Sequence, residues 1–349
     1  MSVTNAGSGS MHRFPWKWKL SDLENVKKNG KTVFSCFSCG GGSSMGYKLA
    51  GYTVIGNCEI DPAMAAVYEA NNHPKYSYQM DIRDFNSEEL PEELFNLDIL
   101  DGSPPCSVFS SAGDREKGWG REKVFREGQK KQRLDDLFFV FIETAKRLQP
   151  KVVIAENVEG LLRGNAKGYV NEIIKRFSEA GYDVQAFLLD ASKMGVPQRR
   201  RRVFFIGRRK DLSLPKLALD FREPPILFKE VRSEKGVEVN SERTKALLSK
   251  RRKGDVDLSD INKRESGRNT GFTMPIINDS VVAPTLTAGS THYRFCDGMI
   301  ISKEDIINVQ SFPQDYNFLN LSPQYICGMS VPPVMMANIA DQVYRQWLQ

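Results

Sequence analysis

Between Lys31 and about Lys210 the chain alternates apolar runs of strand length with amphipathic runs of helix length, an order that few folds accommodate. A strand, a crossover helix and a second strand build a mostly parallel sheet covered by helices, so the expected class is α/β. Thr32–Phe37 reads as a buried strand, followed by a glycine cluster and a short helix through Ala50. Thr53–Glu59 is a second strand, and Pro62 opens a helix over Ala63–Asn71. Leu97–Leu100 is a strand ending at Asp101-Gly102-Ser103-Pro104-Pro105. Asp135–Leu148 is a helix with acids at its start and Lys146-Arg147 at its end, the order its dipole favours. Val152–Ala155, Asp183–Leu189 and Val203–Ile206 are further strands, with a helix over Tyr169–Ala180. After Lys210 the alternation stops. Asp211–Ala283 is rich in charge, Pro and Ser and reads as a smaller, irregular domain; order returns at Ile306–Val309, and Pro332-Pro333 opens a closing helix, Val334–Trp347. The expected plan is a tail over 1–30, the α/β domain over 31–210, a second domain over 211–310, and a segment over 311–349 that returns to the first.

Lys and Arg number 49 against 43 Asp and Glu, a modest excess that matters because it is clustered. Arg199–Lys210 holds seven basic groups and Arg243–Lys253 six, neither with an acid, and Asp114–Arg133 is net +4 and punctuated by glycines. Such runs suit a large polyanion. Six cysteines are too few for a disulfide scaffold in 349 residues, and three scattered histidines (His12, His73, His292) give no zinc site. No apolar run approaches the ~20 residues that span a bilayer, and the N-terminus lacks a signal-peptide core; the expected location is the cytoplasm.

Gly40-Gly41-Gly42 lies between a strand and a helix, where a ligand can approach backbone and helix N-terminus closely. Glu59 ends the second strand, where a carboxylate can accept both hydroxyls of a ribose, and Asp81-Ile82 suits an adenine amino group and ring face. These features point to an adenosine-bearing cofactor and leave NAD and S-adenosylmethionine undistinguished. Cys106 separates them: it follows Pro104-Pro105 at the carboxyl end of a strand, the position of a nucleophile. Glu156 closes another strand and reaches the same crevice, and Gln198-Arg199-Arg200-Arg201-Arg202 delivers alternate arginines to one face. A nicotinamide dehydrogenase gives no role to Cys106 with Glu156.

Phe37-Ser38-Cys39-Gly40-Gly41-Gly42, Gly102-Ser103-Pro104-Pro105-Cys106, Glu156-Asn157-Val158 and Gly195-Val196-Pro197-Gln198-x-Arg200-x-Arg202-Val203 occur in that order. Gln310-Ser311-Phe312-Pro313 and Gly328-Met329-Ser330-Val331-Pro332-Pro333 follow. From Val33 to the C-terminus the chain resembles the cytosine-C5 DNA methyltransferases, matching their cofactor, nucleophile, acid, paired-arginine, ninth and tenth motifs. The resemblance implies a Rossmann-like methyltransferase domain, a target-recognition domain in the variable segment, and methyl transfer from S-adenosylmethionine to C5 of a flipped cytosine in double-stranded DNA. Cys106 would add to C6, Glu156 would bond N3 and the exocyclic amine, and Arg200 and Arg202 would favour the thiolate while one of them binds the base O2. Phe37, Gly41, Gly42, Glu59, Ile60, Asp81, Ile82, Pro104, Ser330 and Val331 would surround the cofactor. Ser107 beside Cys106, Arg115, Lys117 and Arg121 on the basic loop, and Gln198, Arg251 and Arg252 would meet DNA.

Two positions depart from the family pattern: Cys39 stands where Gly is usual and Met329 where Asn is usual. The branch that modifies tRNA carries Cys-Phe-Thr in its recognition region; here Phe272-Thr273 follows Gly271, which favours DNA. The compact chain fits a bacterial or phage modification enzyme that works as a monomer, with a cognate restriction endonuclease as a functional rather than a physical partner.

Overall fold

Seven strands form one sheet: β1 (Thr32–Cys36), β2 (Thr53–Cys58), β3 (Tyr76–Tyr78), β4 (Ile99–Gly102), β5 (Val152–Val158), β6 (Tyr182–Asp190) and β7 (Arg201–Arg209), in the order β3-β2-β1-β4-β5-β7-β6. The computed structural model describes residues 12–105, 122–123, 132–133, 136–162, 167–268 and 273–349. β1 to β5 pair in parallel, and β7 runs antiparallel to both β5 and β6. This is the expected α/β class. The strand order reverses between β1 and β4, and such a switch point opens a crevice at the carboxyl ends of the strands.

The chain divides into two units, each assembled from separate segments. The sheet unit comprises Val26–Asp190, Arg201–Asp220 and Met336–Gln349. Its helices include α1 (Gly42–Leu49), α2 (Pro62–Asn72), α3 (Leu137–Leu148) and α4 (Lys167–Glu179). Pro62 starts α2 as expected, and the Asp61 carboxylate caps it by accepting from the Ala63 and Met64 amides. Phe34, Leu100, Val153, Ala155, Val203 and Phe205 pack in one core with Phe138 and Phe141 of α3 and Ile173 and Phe177 of α4. Because strand side chains alternate between faces, Ser35, Asp101, Glu156 and Arg202 fall together on the opposite face. There the Tyr47 and Tyr52 rings meet edge to face, and the Tyr52 hydroxyl donates to the Ala340 carbonyl at 2.9 Å.

The second unit comprises the described residues up to Asn25, Ala191–Arg200 and Phe221–Met335. Two features differ from the sequence reading. The presumed tail is built into the unit from residue 12 onward, with Trp18 only 2% exposed. The segment expected to be irregular contains α5 (Glu242–Leu248), capped by Ser241, and α6 (Leu258–Ser266), capped by Asp257. They pack through Leu248, Leu258 and Ile261 with Val239, Ile276 and Tyr293. Helices of seven and nine residues are too short to print a 3.6-residue period on the sequence. Ser302 with Asp305 then boxes the start of α7 (Lys303–Val309), and Ser322 caps α8 (Pro323–Met329). α9 (Pro333–Val343) carries the chain on to the C-terminus.

Candidate active site

At the carboxyl ends of the parallel strands, the antiparallel β5–β7 ladder sets Val158 opposite Arg202 and Glu156 opposite Phe204. Glu156 and Arg202 are therefore diagonal neighbours on one face. Arg202 Nε donates to Glu156 Oε1 at 3.0 Å, and both side chains are largely buried. Burial draws the Arg202 pKa down, the charge of Glu156 opposes it, and a guanidinium keeps its proton throughout. The pair fixes the carboxylate in orientation. Asn157, next to it, donates through Nδ2 to the Pro104 carbonyl at 3.1 Å and accepts from the Val158 amide at 2.9 Å. It thereby ties β5 to the turn that leads into Cys106.

Behind this edge, Asp101 is 2% exposed and accepts from Ser35 Oγ at 2.9 Å and Tyr47 Oη at 3.1 Å. Loss of hydration, chiefly, and the nearby Glu156 charge push its carboxyl up to about 7, against the pull of its two donors.

The turn after β1 is held by Glu59. Its carboxylate accepts from the Cys39 amide at 2.8 Å and the Asp61 amide at 2.9 Å, joining the ends of β1 and β2. Burial raises the Glu59 pKa, and these backbone donors lower it in opposition. Phe37, Cys39 and Gly41 all adopt left-handed backbone, at φ 52°, 48° and 79°. A Cβ on Gly41 would lie 2.4 Å from Asn72 Nδ2 and 3.0 Å from the Tyr68 ring, so only glycine fits there. Asp81 caps the single turn Ile82–Phe85 by accepting from the Arg83 amide and also pairs with Arg83 Nη1 at 2.9 Å; Ile82 is buried. Among the described residues no group of three or more His, Cys, Asp or Glu could hold a metal ion, and no helix is long and apolar enough to cross a membrane.

The model of the C-5 cytosine-specific DNA methylases matches residues 31–345. The chain belongs to that family. The enzyme is thus a DNA cytosine methyltransferase. It is 29% identical to type II methyltransferase M.NgoPII of Neisseria gonorrhoeae across 91% of this chain and 96% of the relative. Type II methyltransferase M.FnuDI of Fusobacterium nucleatum is 38% identical over 199 residues, 57% of this chain and 52% of its own. Among solved structures, a DNA modification methyltransferase encoded within an E. coli prophage superposes with a TM-score of 0.64 at 20% identity, covering 92% of this chain and 100% of that one. DNMT2 of Spodoptera frugiperda gives 0.63 at 17% identity, over 90% and 100%. At these identities the likeness is one of fold, the Rossmann-like α/β sheet.

Of the enzyme's expected site residues, Cys106, Ser107, Arg115, Lys117 and Arg121 lie outside the described residues. Three others stand elsewhere than the sequence suggested. Gln198, expected on DNA, is fully buried: its amide donates to Gln310 Oε1 and its oxygen accepts from the Leu286 amide at 3.2 Å. Arg200 is buried too, donating at 3.0 Å to the carbonyls of Leu286 and of Gly328. Arg251 donates to the carbonyls of Leu248, Phe295 and Cys296, so its guanidinium braces a turn rather than meeting a phosphate; Arg252 beside it is exposed. The Arg199–Lys210 run does not form one patch. β7 holds Arg201 and Arg209 roughly 27 Å apart, with Arg208 paired to Asp183 and Arg209 to Asp211 at the far end. Ser330 is buried, with its hydroxyl donating to the Ile326 carbonyl, and Val331 is buried beside it. Asp101 and Asn157 were not singled out in the sequence; their positions, at the end of β4 and beside Glu156 in β5, were the available signal.

Proposed function

We propose that the enzyme methylates C5 of a cytosine flipped out of duplex DNA, using S-adenosylmethionine and a transient covalent bond to Cys106, as the modification partner of a type II restriction endonuclease. The observation that carries the reading is the Glu156–Arg202 pair, with Asn157 bracing the turn before Cys106, at the switch-point edge of the sheet. The type II names of its relatives support the restriction-modification role.

The residues at the β1 and β2 ends fit an adenosine-bearing methyl donor. Glu59 is a buried carboxylate beside a turn too tight for a Cβ, and the backbone donors from Cys39, Ile60 and Asp61 leave part of its acceptor capacity unused. Phe37, Gly41, Gly42, Glu59, Ile60, Asp81, Ile82 and Pro104 would hold it. S-adenosylmethionine supplies an electrophilic methyl group.

C5 of cytosine is a weak nucleophile. The Cys106 thiolate adds to C6 and the ring electrons shift to C5, which would take the methyl group from the sulfonium as its carbon–sulfur bond breaks and S-adenosylhomocysteine leaves. The proton on C5 then passes to a water molecule, its electron pair re-forms the C5–C6 double bond, the C6–S bond breaks, and Cys106 departs as thiolate with the aromatic base restored. One Glu156 oxygen accepts from the exocyclic amine and the other, carrying a proton, donates to N3, where charge develops during addition. Arg202 orients Glu156 and presents positive charge to the base oxygen; Arg200, occupied by two carbonyls, supports the turn that delivers it. A stacked base cannot reach these groups, so flipping is required, at a cost of a few kcal/mol. Exposed Arg243, Arg252 and Lys253 would meet phosphates, with target readout by the unit that carries them. The enzyme would act as a monomer.

The test is DNA made with 5-fluorocytosine in place of cytosine, because fluorine at C5 cannot leave as a cation and the adduct accumulates. The wild type should form a complex with this DNA that survives denaturing electrophoresis only when S-adenosylmethionine is present in the mixture. C106A should form none. Methyl transfer without such a complex would remove the covalent mechanism.

A further inference from the structure

The segment from residue 12 to residue 20 has no place in the motifs above, yet it is fastened at two points within the second unit. Trp18 Nε1 donates to the Ser311 carbonyl at 3.0 Å, and the Gln314 amide returns a bond to the Trp18 carbonyl at 2.8 Å. The Leu20 amide donates to Asp315 Oδ1 at 2.8 Å. The other fastening is His12, whose Nδ1 lies 2.9 Å from Glu223 Oε2. That pair sits on Gly195, where the backbone is left-handed (φ +69°) and a Cβ would fall 2.5 Å from the Glu223 oxygen.

Both fastened turns lead to the same buried contact. The Gly195 turn opens the stretch that carries Gln198, and the Ser311 turn follows Gln310; the two amides are bonded to each other. Ser311 is itself buried in left-handed backbone (φ 56°), and its hydroxyl accepts from the Val334 amide at 3.2 Å. A non-glycine residue keeps that conformation only where its neighbours over-determine it. Gln198 in turn holds the Leu286 amide, Arg199 bonds the Ala283 carbonyl, and the chain runs on to Tyr293 in the core shared with α5 and α6. The bases exposed at Arg243, Arg252 and Lys253 are rooted in that core.

We infer that residues 12–20 are a strap that fixes the root of the target-binding unit, and that Trp18 is a positioning residue for DNA binding. The inference rests on the proposed role of this unit in binding DNA. Trp18→Phe keeps an aromatic ring and removes the donor to Ser311. It should raise the KM for plasmid DNA about fivefold, the factor that one net hydrogen bond is worth. The kcat and the KM for S-adenosylmethionine should stay within twofold. His12→Ala, at the other fastening, should move the DNA KM in the same direction. A purely structural role would lower the melting temperature and leave the kinetic constants of the folded enzyme alone. An unchanged DNA KM in W18F overturns the inference; if W18F does not fold, an unchanged DNA KM in H12A does so. Absence of methyl transfer to DNA by the wild type would instead overturn the proposed function.

Discussion

Asp101 shows what a single buried carboxyl costs and what it organises. Its oxygens receive hydroxyls from β1 and α1, so it links those two elements to β4. Its folded pKa of about 7 stands above the usual 3.8. The stability of the neutral form is therefore fully present below 3.8 and is lost as pH rises through about 7. Once ionised, the burial costs up to about 4 kcal/mol. Urea unfolding at pH 5 and pH 8 should show the wild type losing stability relative to Asp101→Asn across that interval; parallel curves would refute the burial argument. Glu156 and Arg202 depend on each other differently. Arg202→Ala leaves a largely buried carboxylate without its partner and should cost about 3 kcal/mol of stability as well as activity. Glu156→Gln should keep the fold and lower kcat about a hundredfold, read from single-turnover methylation. Cys39, in left-handed backbone at φ 48°, gives a third case. Cys39→Gly should raise stability by about 1 kcal/mol, measured as a higher melting temperature, because glycine removes the Cβ clash.

The turn between β1 and α1 is the element where backbone and chemistry meet. Gly41→Ala should lower stability by about 1–3 kcal/mol and weaken S-adenosylmethionine binding in calorimetry, since both the φ and the contact with Asn72 forbid a side chain. This turn was legible in the sequence because glycine clusters announce such geometry. β1, β2 and β5 were legible because buried parallel strands read as plain apolar runs, and β7, although antiparallel, because its buried centre Val203–Ile206 is an unbroken apolar run. The fate of the basic runs was not. A string of arginines says nothing about which of them point inward, and Gln198, Arg200 and Arg251 each satisfy buried backbone groups brought from distant segments. Asp101 was hidden for the same reason: its meaning lies in Ser35 and Tyr47, 66 and 54 residues away. Trp18 falls in the stretch expected to be a tail, although one large apolar ring is enough to anchor a segment.

At the scale of the molecule, an excess of six positive charges is small, and its placement decides what it does. The exposed pair Arg252 and Lys253 should behave as phosphate contacts, and Arg251 as a brace. Arg252→Ala with Lys253→Ala should reduce the slope of log affinity against log salt by about 2 and leave the melting temperature unchanged. Arg251→Ala should lower the melting temperature instead. The transferred methyl group is the direct readout of the enzyme's activity. Tritiated S-adenosylmethionine should label unmethylated plasmid and leave bulk tRNA unlabelled, and bisulfite sequencing of that plasmid should show protected cytosines within one short recurring sequence. Label confined to tRNA, or labelled plasmid in which every cytosine still converts, would contradict it.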